Sequence, residues 1–335
     1  MVKIAINGFG RIGRPTFKKI LKDHPDLDVV VINDLTDTKT LAHLLRYDSV
    51  YGIYDKQVDS TENSILINRK EIKVLAKTDP AKLPWKEFGI DIVLECTGRF
   101  TDYEGAKKHL SAGVKKVIIS APCKSPEVKM FVLGVNEETY NSKTDNIISM
   151  ASCTTNCLAP VSKVLNDNFK IVKGFMTTCH SYTNDQKILD LPHKDLRRGR
   201  AAAINIIPTS TGAAKAIGKI IPEIDGKLDG IAFRIPSPSV SILDLICEVE
   251  KKTTAEEVNY VFKQASKTKN LEGILGVEDA QLVSSDYVGN SFSAIIDSSL
   301  TMVKDNLVKI VAWYDNEWAY ACRLAEFTEY VGKKL

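Results

Sequence analysis

The chain has 335 residues, and two domains are expected because a single hydrophobic core rarely grows that large. Charged residues make up 26% of it and apolar residues 44%, as in an ordinary soluble protein, and a net charge of +3 gives no reason to expect a nucleic-acid or membrane partner. Seven scattered cysteines, five unclustered histidines and no long apolar run favour a cytoplasmic protein with free thiols and no metal site.

The first predicted element is a strand over residues 2–6, which leads into the run Asn7-Gly-Phe-Gly-Arg-Ile-Gly13 and a helical pattern. Strand, glycine turn and helix are the context of a dinucleotide-binding fingerprint, although three glycines can also merely shape a loop. In that fingerprint Gly8 permits the tight turn, Gly10 lets the backbone approach a pyrophosphate, and Gly13 allows close packing of helix on strand. The helix start would then offer N–H groups to the phosphates.

The next predicted strand, at residues 29–32, ends at Asn33-Asp34. An acidic residue about 20 positions beyond the glycines is placed to bind the adenosine ribose hydroxyls. Its charge would repel a ribose 2′-phosphate, so Asp34 favours NAD over NADP. A strand-terminal aspartate can also simply cap a turn, but together with the glycines it indicates a Rossmann domain.

Further apolar runs continue this pattern up to the middle of the chain. Predicted strands lie at residues 90–94, 117–119 and 131–133, a helix at 106–112, and an inserted hairpin at 64–68 and 71–75. Alternating strands and helices predict a doubly wound parallel sheet, whose ligands bind beyond the carboxyl ends of the strands. The residues expected near a cofactor are therefore Thr97, Gly98, Arg99 and Ser120, with Lys77 beyond the hairpin.

The second half of the chain has a different pattern of predicted strands and helices. Predicted strands lie at residues 172–177, 231–234, 240–249 and 307–314, and predicted helices at 255–265 and 318–330. Strands joined by long connections indicate an α+β domain with a mixed or antiparallel sheet. We expect a Rossmann domain at 1–151 and a catalytic domain at 152–316, with a C-terminal helix at 317–335 that packs back on the first domain.

A cysteine opens the second domain. Cys153 follows a predicted strand at residues 146–150 and begins a predicted helix, with Ser152 at the N-cap. Unpaired N–H groups and the helix dipole at that position favour the nucleophilic thiolate. Taken alone, however, a buried cysteine is more often a small apolar residue. Pro160 predicts a kink or a broken first turn, because an interior proline removes a helical hydrogen bond.

His180 is the natural partner for this cysteine, since it follows the predicted strand at 172–177. An imidazole there could take the thiol proton, hold the thiolate as an ion pair and later exchange a proton with a substrate. A loop histidine with an ordinary structural role is the alternative. The polar, basic segment 179–208 is long for a loop in a compact domain, and such loops are usually functional.

Basic and hydroxyl side chains in the second half suggest phosphate binding. Thr211 and Gly212 precede a predicted helix at 213–217, whose start would attract an anion. A solvated face or an interface strip would explain the arginines equally well. The candidate phosphate ligands are Thr183, Arg197, Arg198, Arg200, Arg234, Thr211 and Gly212.

The Ser-Cys-Thr-Thr-Asn-Cys run, His180 and the glycine loop closely resemble, in order and spacing, the phosphorylating glyceraldehyde-3-phosphate dehydrogenase family of the NAD-dependent, glycolytic type. The resemblance runs over essentially the whole chain. It is carried by residues 7–13, 151–160, 180–186, 208–216 and 313–318.

The resemblance implies a role for each matching position. Cys153 would be the nucleophile and His180 its acid/base partner. Inorganic phosphate would be bound by Ser152, Thr154, Thr211 and Gly212, and the phosphate of glyceraldehyde 3-phosphate by Thr183, Arg198 and Arg234. NAD would be contacted by Arg11, Ile12, Asp34, Lys77, Ser120 and Asn316.

Some of these implied roles have competitors. Arg197 and Arg200 compete with Arg198, and Lys77 stands where many family members carry arginine. Leu35 and Leu191-Pro192 match NAD-specific members of the family. The resemblance also implies a homotetramer in which the 179–208 loop reaches a neighbouring subunit's cofactor site.

Three alternatives stay open at this point. Erythrose-4-phosphate dehydrogenase looks alike around the cysteine. A Cys-His acyl hydrolase would use the same two side chains, but it would need neither the glycine loop nor Asp34. A non-catalytic NAD-binding interaction protein is the third alternative.

Overall fold

A nine-stranded sheet carries the first unit of the fold. The computed structural model describes residues 1–335, and this unit comprises Met1–Phe131, Glu138–Ala151 and Ala321–Leu335. The strands of this part of the chain are β1 (Val2–Asn7), β2 (Leu27–Asn33), β3 (Tyr47–Asp48), β4 (Gly52–Ile53), β5 (Val58–Ser60), β6 (Ser64–Ile67), β7 (Lys70–Leu75), β8 (Ile92–Glu95), β9 (Lys116–Ile119), β10 (Lys129–Met130) and β11 (Ile147–Ser149). Its first four helices are α1 (Gly13–Asp23), α2 (Thr38–Arg46), α3 (Trp85–Phe88) and α4 (Tyr103–Ser111).

The order of the strands makes this a Rossmann-type sheet, as predicted. It runs β10-β11-β9-β8-β1-β2-β7-β6-β5, and all neighbours from β10 to β7 are parallel. The central strands are buried apolar runs, which is typical of parallel sheets covered on both faces. The chain turns to one side of β1 at β2 and to the other at β8, so β1 marks the switch point where such folds bind ligands.

The predicted hairpin is present, but it extends the main sheet. β6 and β7 pair antiparallel, and β7 also pairs parallel with β2. The short strands β3 and β4 pair only with each other.

The prediction of a strand at 131–133 is wrong. The strand in this region is β10, and it ends before the predicted range, at Lys129–Met130. The carbonyl of Val132 accepts hydrogen bonds from the N–H groups of Val135 and Asn136, so the backbone turns there. An apolar run alone cannot distinguish a buried strand from a buried turn.

A mixed eight-stranded sheet carries the second unit, which comprises Val132–Glu137 and Ser152–Tyr320. Its strands are β12 (Ile171–Ser181), β13 (Ile207–Ser210), β14 (Leu228–Ile235), β15 (Ser241–Val249), β16 (Leu275–Glu278), β17 (Ala294–Asp297), β18 (Met302–Lys304) and β19 (Leu307–Tyr314). The helices of this part of the chain are α5 (Cys153–Phe169), α6 (Ala213–Ile220), α7 (Ala255–Ala265) and α8 (Trp318–Gly332), the last of which belongs to the first unit from Ala321 on. The strand order is β13-β14-β12-β15-β19-β17-β16, with β18 beside β19, and most pairs are antiparallel, so the predicted mixed sheet is confirmed.

Two sequence-based boundaries change in the second unit. β12 runs to Ser181, so His180 lies inside the strand and not after it. The segment between β12 and β13 is correspondingly shorter, at residues 182–206, and contains only an isolated bridge between Lys187 and Ala201.

The helix α5 is unbroken, so the predicted broken first turn is wrong. Ser152 caps this turn, since its Oγ accepts from the N–H of Thr155 at 3.0 Å and its carbonyl from that of Asn156 at 2.9 Å. Pro160 lies beyond the first turn, where it removes a single backbone donor. Most of the helix is buried, and this packing offsets the missing bond.

None of the helices is both long enough and apolar enough to cross a membrane.

Candidate functional site

The glycine turn after β1 has no room for side chains at two of its three glycines. Gly8 has φ +95°, and a Cβ there would lie 2.7 Å from the backbone of Cys96. A Cβ on Gly13 would lie 2.3 Å from the carbonyl oxygen of Gly8. Gly10 faces open space, since a Cβ there would meet no atom within 4 Å. The turn is therefore tight on the protein side and open where a pyrophosphate would approach.

The start of α1 has no side-chain cap. The N-cap residue Ile12 makes no side-chain capping bond, and the first turn holds no acidic residue. The guanidinium of Arg11 is paired with Asp48, Nη1 to Oδ2, at 2.6 Å. We therefore expect Arg11 and Ile12 to offer backbone N–H groups, and not side chains, to a ligand.

A cavity of about 250 Å³ lies at the carboxyl ends of the central strands of the first unit. Asp34 stands on its rim, where its carboxylate accepts hydrogen bonds from the N–H groups of Phe9 at 2.8 Å and Thr36 at 2.9 Å. These bonds hold the carboxylate beside the glycine turn. The cavity is lined by Asn7, Gly8, Gly10, Asn33, Asp34, Leu35, Lys77, Thr78, Cys96, Thr97, Arg99 and Phe100.

The other residues predicted to bind the cofactor differ in their position relative to this cavity. Gly98 is exposed with φ +69°, and Ser120 donates its hydroxyl to the carbonyl of Glu95 at 3.0 Å. Neither lines the cavity. Lys77 does, and its backbone N–H and C=O are both bonded to the side-chain amide of Asn33. The sequence interpretation missed the side chains of Asn7 and Asn33, although each ends a predicted strand.

Cys153 and His180 meet in the second unit. The cysteine is the first residue of α5, and its Sγ lies 3.4 Å from Nε2 of His180. His180 shares the buried face of β12 with Met176 and Thr178, because side chains alternate along a strand. The start of a helix and the inner face of a strand thus bring together two side chains that are 27 residues apart.

The contacts of the second ring nitrogen decide which nitrogen of His180 carries the proton. Nδ1 lies 2.7 Å from the carbonyl oxygen of Ser181 and 2.9 Å from Nη1 of Arg234. Arg234 also donates to the same carbonyl at 3.0 Å. We assign the proton to Nδ1, because a carbonyl only accepts and it makes the shorter contact. The lone pair of Nε2 then points at the thiol of Cys153.

Burial favours the neutral form of both members of this pair. It lowers the pKa of His180 to about 3, with a further contribution from the charge of Arg234. Burial also raises the pKa of the Cys153 thiol, and Arg234 and the donors of Thr154 offset this only in part. Both shifts favour the neutral forms, a thiol and an imidazole, and so oppose the thiolate that the helix start favours. Nε2 is left as the base that can take the proton during a reaction.

Arg234 lies opposite His180 in the parallel pair of β14 and β12. Its Nη1 donates to Oγ1 of Thr183 at 3.3 Å, while its Nε is buried without a hydrogen-bond partner. A buried N–H without an acceptor is costly, and a bound anion would satisfy it.

Of the three competing arginines, Arg198 acts electrostatically on this group. Its positive charge contributes, after burial, to lowering the pKa of Arg234 and of His180. Its guanidinium is held by Thr209 at 2.8 Å and Asp185 at 2.7 Å. The exposed side chain of Arg200 instead pairs with Asp190 at 3.0 Å, and Arg197 is exposed.

The hydroxyls predicted to bind inorganic phosphate already have partners. Ser152 caps α5, and Oγ1 of Thr154 lies 2.9 Å from the hydroxyl of Tyr314, deep in the fold. Oγ1 of Thr211 accepts from the N–H of Ala213 at 3.2 Å, which leaves its own proton free to donate. Gly212 is exposed at the start of α6, with open space around it.

Sequence reasoning missed Tyr314, which lies in the 313–318 run that carries the family resemblance. Its hydroxyl bridges Thr154 and Thr178, and its ring packs edge-on against His180 with centroids 6.1 Å apart. Burial raises the pKa of this tyrosine, so it stays a neutral hydrogen-bonding group. Oδ1 of Asn316 accepts from Ser181 at 2.7 Å, together with Ser241 at 3.1 Å.

These two units define a class: an α/β protein with a dinucleotide-binding sheet and a separate unit that carries a cysteine–histidine pair. No group of three or more His, Cys, Asp or Glu side chains could hold a metal ion. A model of the NAD-binding domain of glyceraldehyde 3-phosphate dehydrogenase matches residues 2–103, and a model of its C-terminal domain matches 152–316.

Full-length relatives agree with the domain models. The chain is 56% identical to a glyceraldehyde-3-phosphate dehydrogenase of Geobacillus stearothermophilus, over 99% of both chains. It is 55% identical to glyceraldehyde-3-phosphate dehydrogenase 1 of Bacillus cereus, over 100% of this chain and 99% of that one, and 54% identical to glyceraldehyde-3-phosphate dehydrogenase 2 of a Synechocystis species, over 99% of both. The chain belongs to the glyceraldehyde-3-phosphate dehydrogenase family.

Proposed function

We propose that this chain oxidises D-glyceraldehyde 3-phosphate to 1,3-bisphosphoglycerate with NAD and inorganic phosphate. The observation that carries the proposal is the 3.4 Å contact between Sγ of Cys153 and Nε2 of His180, beside the buried Nε–H of Arg234 that has no hydrogen-bond partner. Covalent oxidation of a phosphorylated aldehyde needs a nucleophile, a base and a hydrogen-bond donor that binds the phosphate.

The first unit fits NAD. Gly10 leaves the turn open to a pyrophosphate, the uncapped start of α1 provides N–H groups, and the carboxylate of Asp34 suits two ribose hydroxyls. When bound, the nicotinamide ring supplies the acceptor for a hydride. By the family resemblance, Ser120 and Asn316 also contact the cofactor.

In the first step Sγ of Cys153 bonds to the aldehyde carbon. The thiol proton passes to Nε2 of His180, whose neutral form is the acceptor required. The carbonyl oxygen gains the electron pair of the broken π bond, and the backbone N–H at Cys153 and the newly protonated Nε2 stabilise it. Protonation of that oxygen by Nε2 gives a thiohemiacetal and restores the base.

In the second step the carbon loses its hydride while its hydroxyl proton passes to His180, which leaves a thioester on Cys153. An oxygen of inorganic phosphate then attacks the thioester carbon, and the C–S bond breaks. The departing sulfur takes a proton from His180, so the thiol and the neutral base are regenerated. The products are the acyl phosphate and the reduced cofactor.

Two anion sites would hold the phosphates during these steps. Arg234, Arg198 and Thr183 would bind the phosphate of the substrate, supported by the unpartnered Nε of Arg234. Ser152, Thr154, Thr211 and Gly212 would bind inorganic phosphate, mainly through backbone N–H groups and the free hydroxyl proton of Thr211.

The experiment that tests this function follows NADH absorbance with glyceraldehyde 3-phosphate, NAD and inorganic phosphate, omitting each in turn. All three are expected to be required for continuous turnover, because the thioester must be released by phosphate. Turnover independent of phosphate would reject the phosphorylating assignment. Faster turnover on erythrose 4-phosphate would favour that dehydrogenase, and ester cleavage without any NADH formation would favour an acyl hydrolase.

Asp34→Asn is expected to weaken NAD binding about 10-fold, because a charge-assisted pair of ribose hydrogen bonds is lost. NADP binding should weaken less or improve, since the charge that repels its 2′-phosphate is removed. Isothermal titration with both cofactors measures the ratio of the two affinities. An unchanged ratio would show that Asp34 does not face the ribose.

The segment 182–206 supports a homotetramer. Its apolar side chains Ile188, Leu196 and Ile204 are 87%, 85% and 78% exposed, which is unusual for a single chain in water. We infer that these side chains are buried against neighbouring subunits, where the loop would reach a neighbour's cofactor site. We also propose that the protein is cytoplasmic, in line with its seven scattered cysteines, which favour a reducing compartment.

Ile188→Glu is expected to shift the assembly to smaller species, because a buried interface position would then carry a charge. Light scattering after size exclusion measures the mass. Tyr260→Glu is the control, since Tyr260 is also exposed, at 62%, but lies on α7 outside the segment. Equal masses for both variants and the wild type would contradict the loop's role in assembly.

A further inference from the structure

A buried carboxylate lies behind the cavity of the first unit. Glu95 ends β8 and is fully buried, as is His109 on α4. Oε1 of Glu95 accepts from both the N–H, at 2.8 Å, and the hydroxyl of Thr97. Oε2 accepts from Nδ2 of Asn7 at 2.5 Å and lies 3.1 Å from Nε2 of His109. All four donors around this carboxylate are neutral.

The orientation of His109 is set by two other rings. Its Nδ1 accepts from Nε1 of Trp85 at 2.9 Å, so the proton must be on Nε2, which donates to Glu95. The indole stacks on the imidazole with centroids 6.1 Å apart, and Phe100 meets the imidazole edge-on at 6.5 Å. The imidazole therefore acts as a fixed donor behind Glu95.

A chain of side-chain bonds runs from Glu95 across the ends of the central strands. Oδ1 of Asn7, at the end of β1, accepts from Nδ2 of Asn33, at the end of β2, at 2.7 Å. The amide of Asn33 in turn binds the backbone of Lys77 in both directions, at 2.9 and 3.0 Å. Asn7, Asn33, Lys77 and Thr97 line the cavity, whereas Glu95 and His109 lie behind it.

Burying such a polar group costs free energy, and filling space does not require it. A buried carboxylate needs all its hydrogen bonds, and well-packed apolar side chains of similar volume would stabilise the fold at least as well. What the polar arrangement provides is a defined position for the side chains in front of it. Those side chains form the wall of the cavity that fits NAD.

We propose that Glu95 and His109 are positioning residues for the cofactor: they hold Asn7, Asn33 and Thr97 in the arrangement that accepts NAD. The inference rests on the proposed function in that NAD occupies this cavity. Neither residue touches the reacting atoms, so the effect should fall on cofactor binding and leave the reactivity of Cys153 unchanged.

The test compares NAD dissociation constants of the full chain carrying Glu95→Gln or His109→Phe. The glutamine replaces an acceptor by an NH₂ that faces existing donors, and the phenyl ring keeps the volume but removes the donor to Glu95. Each variant is expected to bind NAD about 10-fold more weakly, as for the loss of a hydrogen bond to a charged group. Its KM for NAD should rise, while kcat and the rate of Cys153 alkylation by iodoacetamide change less than about twofold.

Two controls separate positioning from general loss of stability. Val114→Ala makes a small cavity in the same apolar cluster as Trp85 without touching the hydrogen-bonded set, so NAD binding should be retained even where the melting temperature falls. His109→Gln can still donate to Glu95 and should restore binding to within about threefold of wild type.

If Glu95→Gln and His109→Phe do not fold, Thr97→Val is tested in their place. This variant removes only the hydrogen bond from the Thr97 hydroxyl to Glu95, and it should weaken NAD binding about threefold. Unchanged affinity in the folded variants, or an equal loss in Val114→Ala, would overturn the inference. Absence of NAD binding by the wild-type chain would instead overturn the proposed function.

Discussion

Cys153→Ser is expected to lower the NAD- and phosphate-dependent oxidation by at least about 10³-fold, as removal of an essential nucleophile does in other enzymes. The serine hydroxyl is far less acidic than the thiol, so the same base, Nε2 of His180, activates it much less efficiently. The measurement is kcat/KM for the aldehyde, from NADH absorbance.

The matched control is Cys157→Ala, one turn along α5. Cys157 is fully buried and burial raises its pKa strongly, so it has no part in the proposed chemistry. This variant should keep its activity, although the small cavity would cost some stability. Both variants should bind NAD like the wild type. Full oxidation activity in Cys153→Ser would contradict the covalent mechanism.

His180→Asn is expected to lower kcat by about 10²- to 10⁴-fold, the range for loss of a general base. The asparagine retains a short polar side chain near Ser181 but leaves nothing at the position of Nε2, 3.4 Å from the thiol. His43→Asn is the control, because His43 is an exposed histidine on α2. A variant that kept more than a tenth of the wild-type kcat would show that another group takes the proton.

The pH dependence should distinguish the neutral pair from an ion pair. Burial lowers the pKa of His180 to about 3, so its protonation affects activity only in strong acid. Burial raises the pKa of the Cys153 thiol, so in His180→Asn the rate should increase with pH until that thiol ionises. The rate at which iodoacetamide alkylates Cys153 in the wild type should likewise rise with pH towards the alkaline range, because the pKa of its thiol is raised. A wild-type alkylation rate that is constant from mildly acidic to alkaline pH would indicate a resting thiolate instead.

The sequence was sufficient wherever the structure depends on local spacing. The predicted ends of β19 and α7, at 307–314 and 255–265, coincide with the observed ones. The glycine turn and the capping of α5 by Ser152 also follow from a few adjacent residues. In each case the steric and hydrogen-bonding requirements lie within one strand, turn or helix.

Other features depend on residues that are distant in the chain. The guanidinium of Arg198 is held by Thr209 and Asp185, and no spacing in the sequence predicts these partners. The bonds of Glu95 to Asn7 and His109 join segments that are 88 and 14 residues apart.

The ionisation of Cys153 is the clearest case in which the local sequence and the tertiary structure act in opposite directions. From the sequence, the helix start predicts a thiolate, because the adjacent N–H groups and the dipole belong to the same segment. In the fold, the packing of α5 against the inner face of β12 raises the pKa of the thiol and lowers that of His180, and thus opposes the local effect. Motif and order were enough to predict the family, whereas the balance between thiol and thiolate at Cys153 depends on all the groups that surround it, and these are assembled only by the tertiary structure.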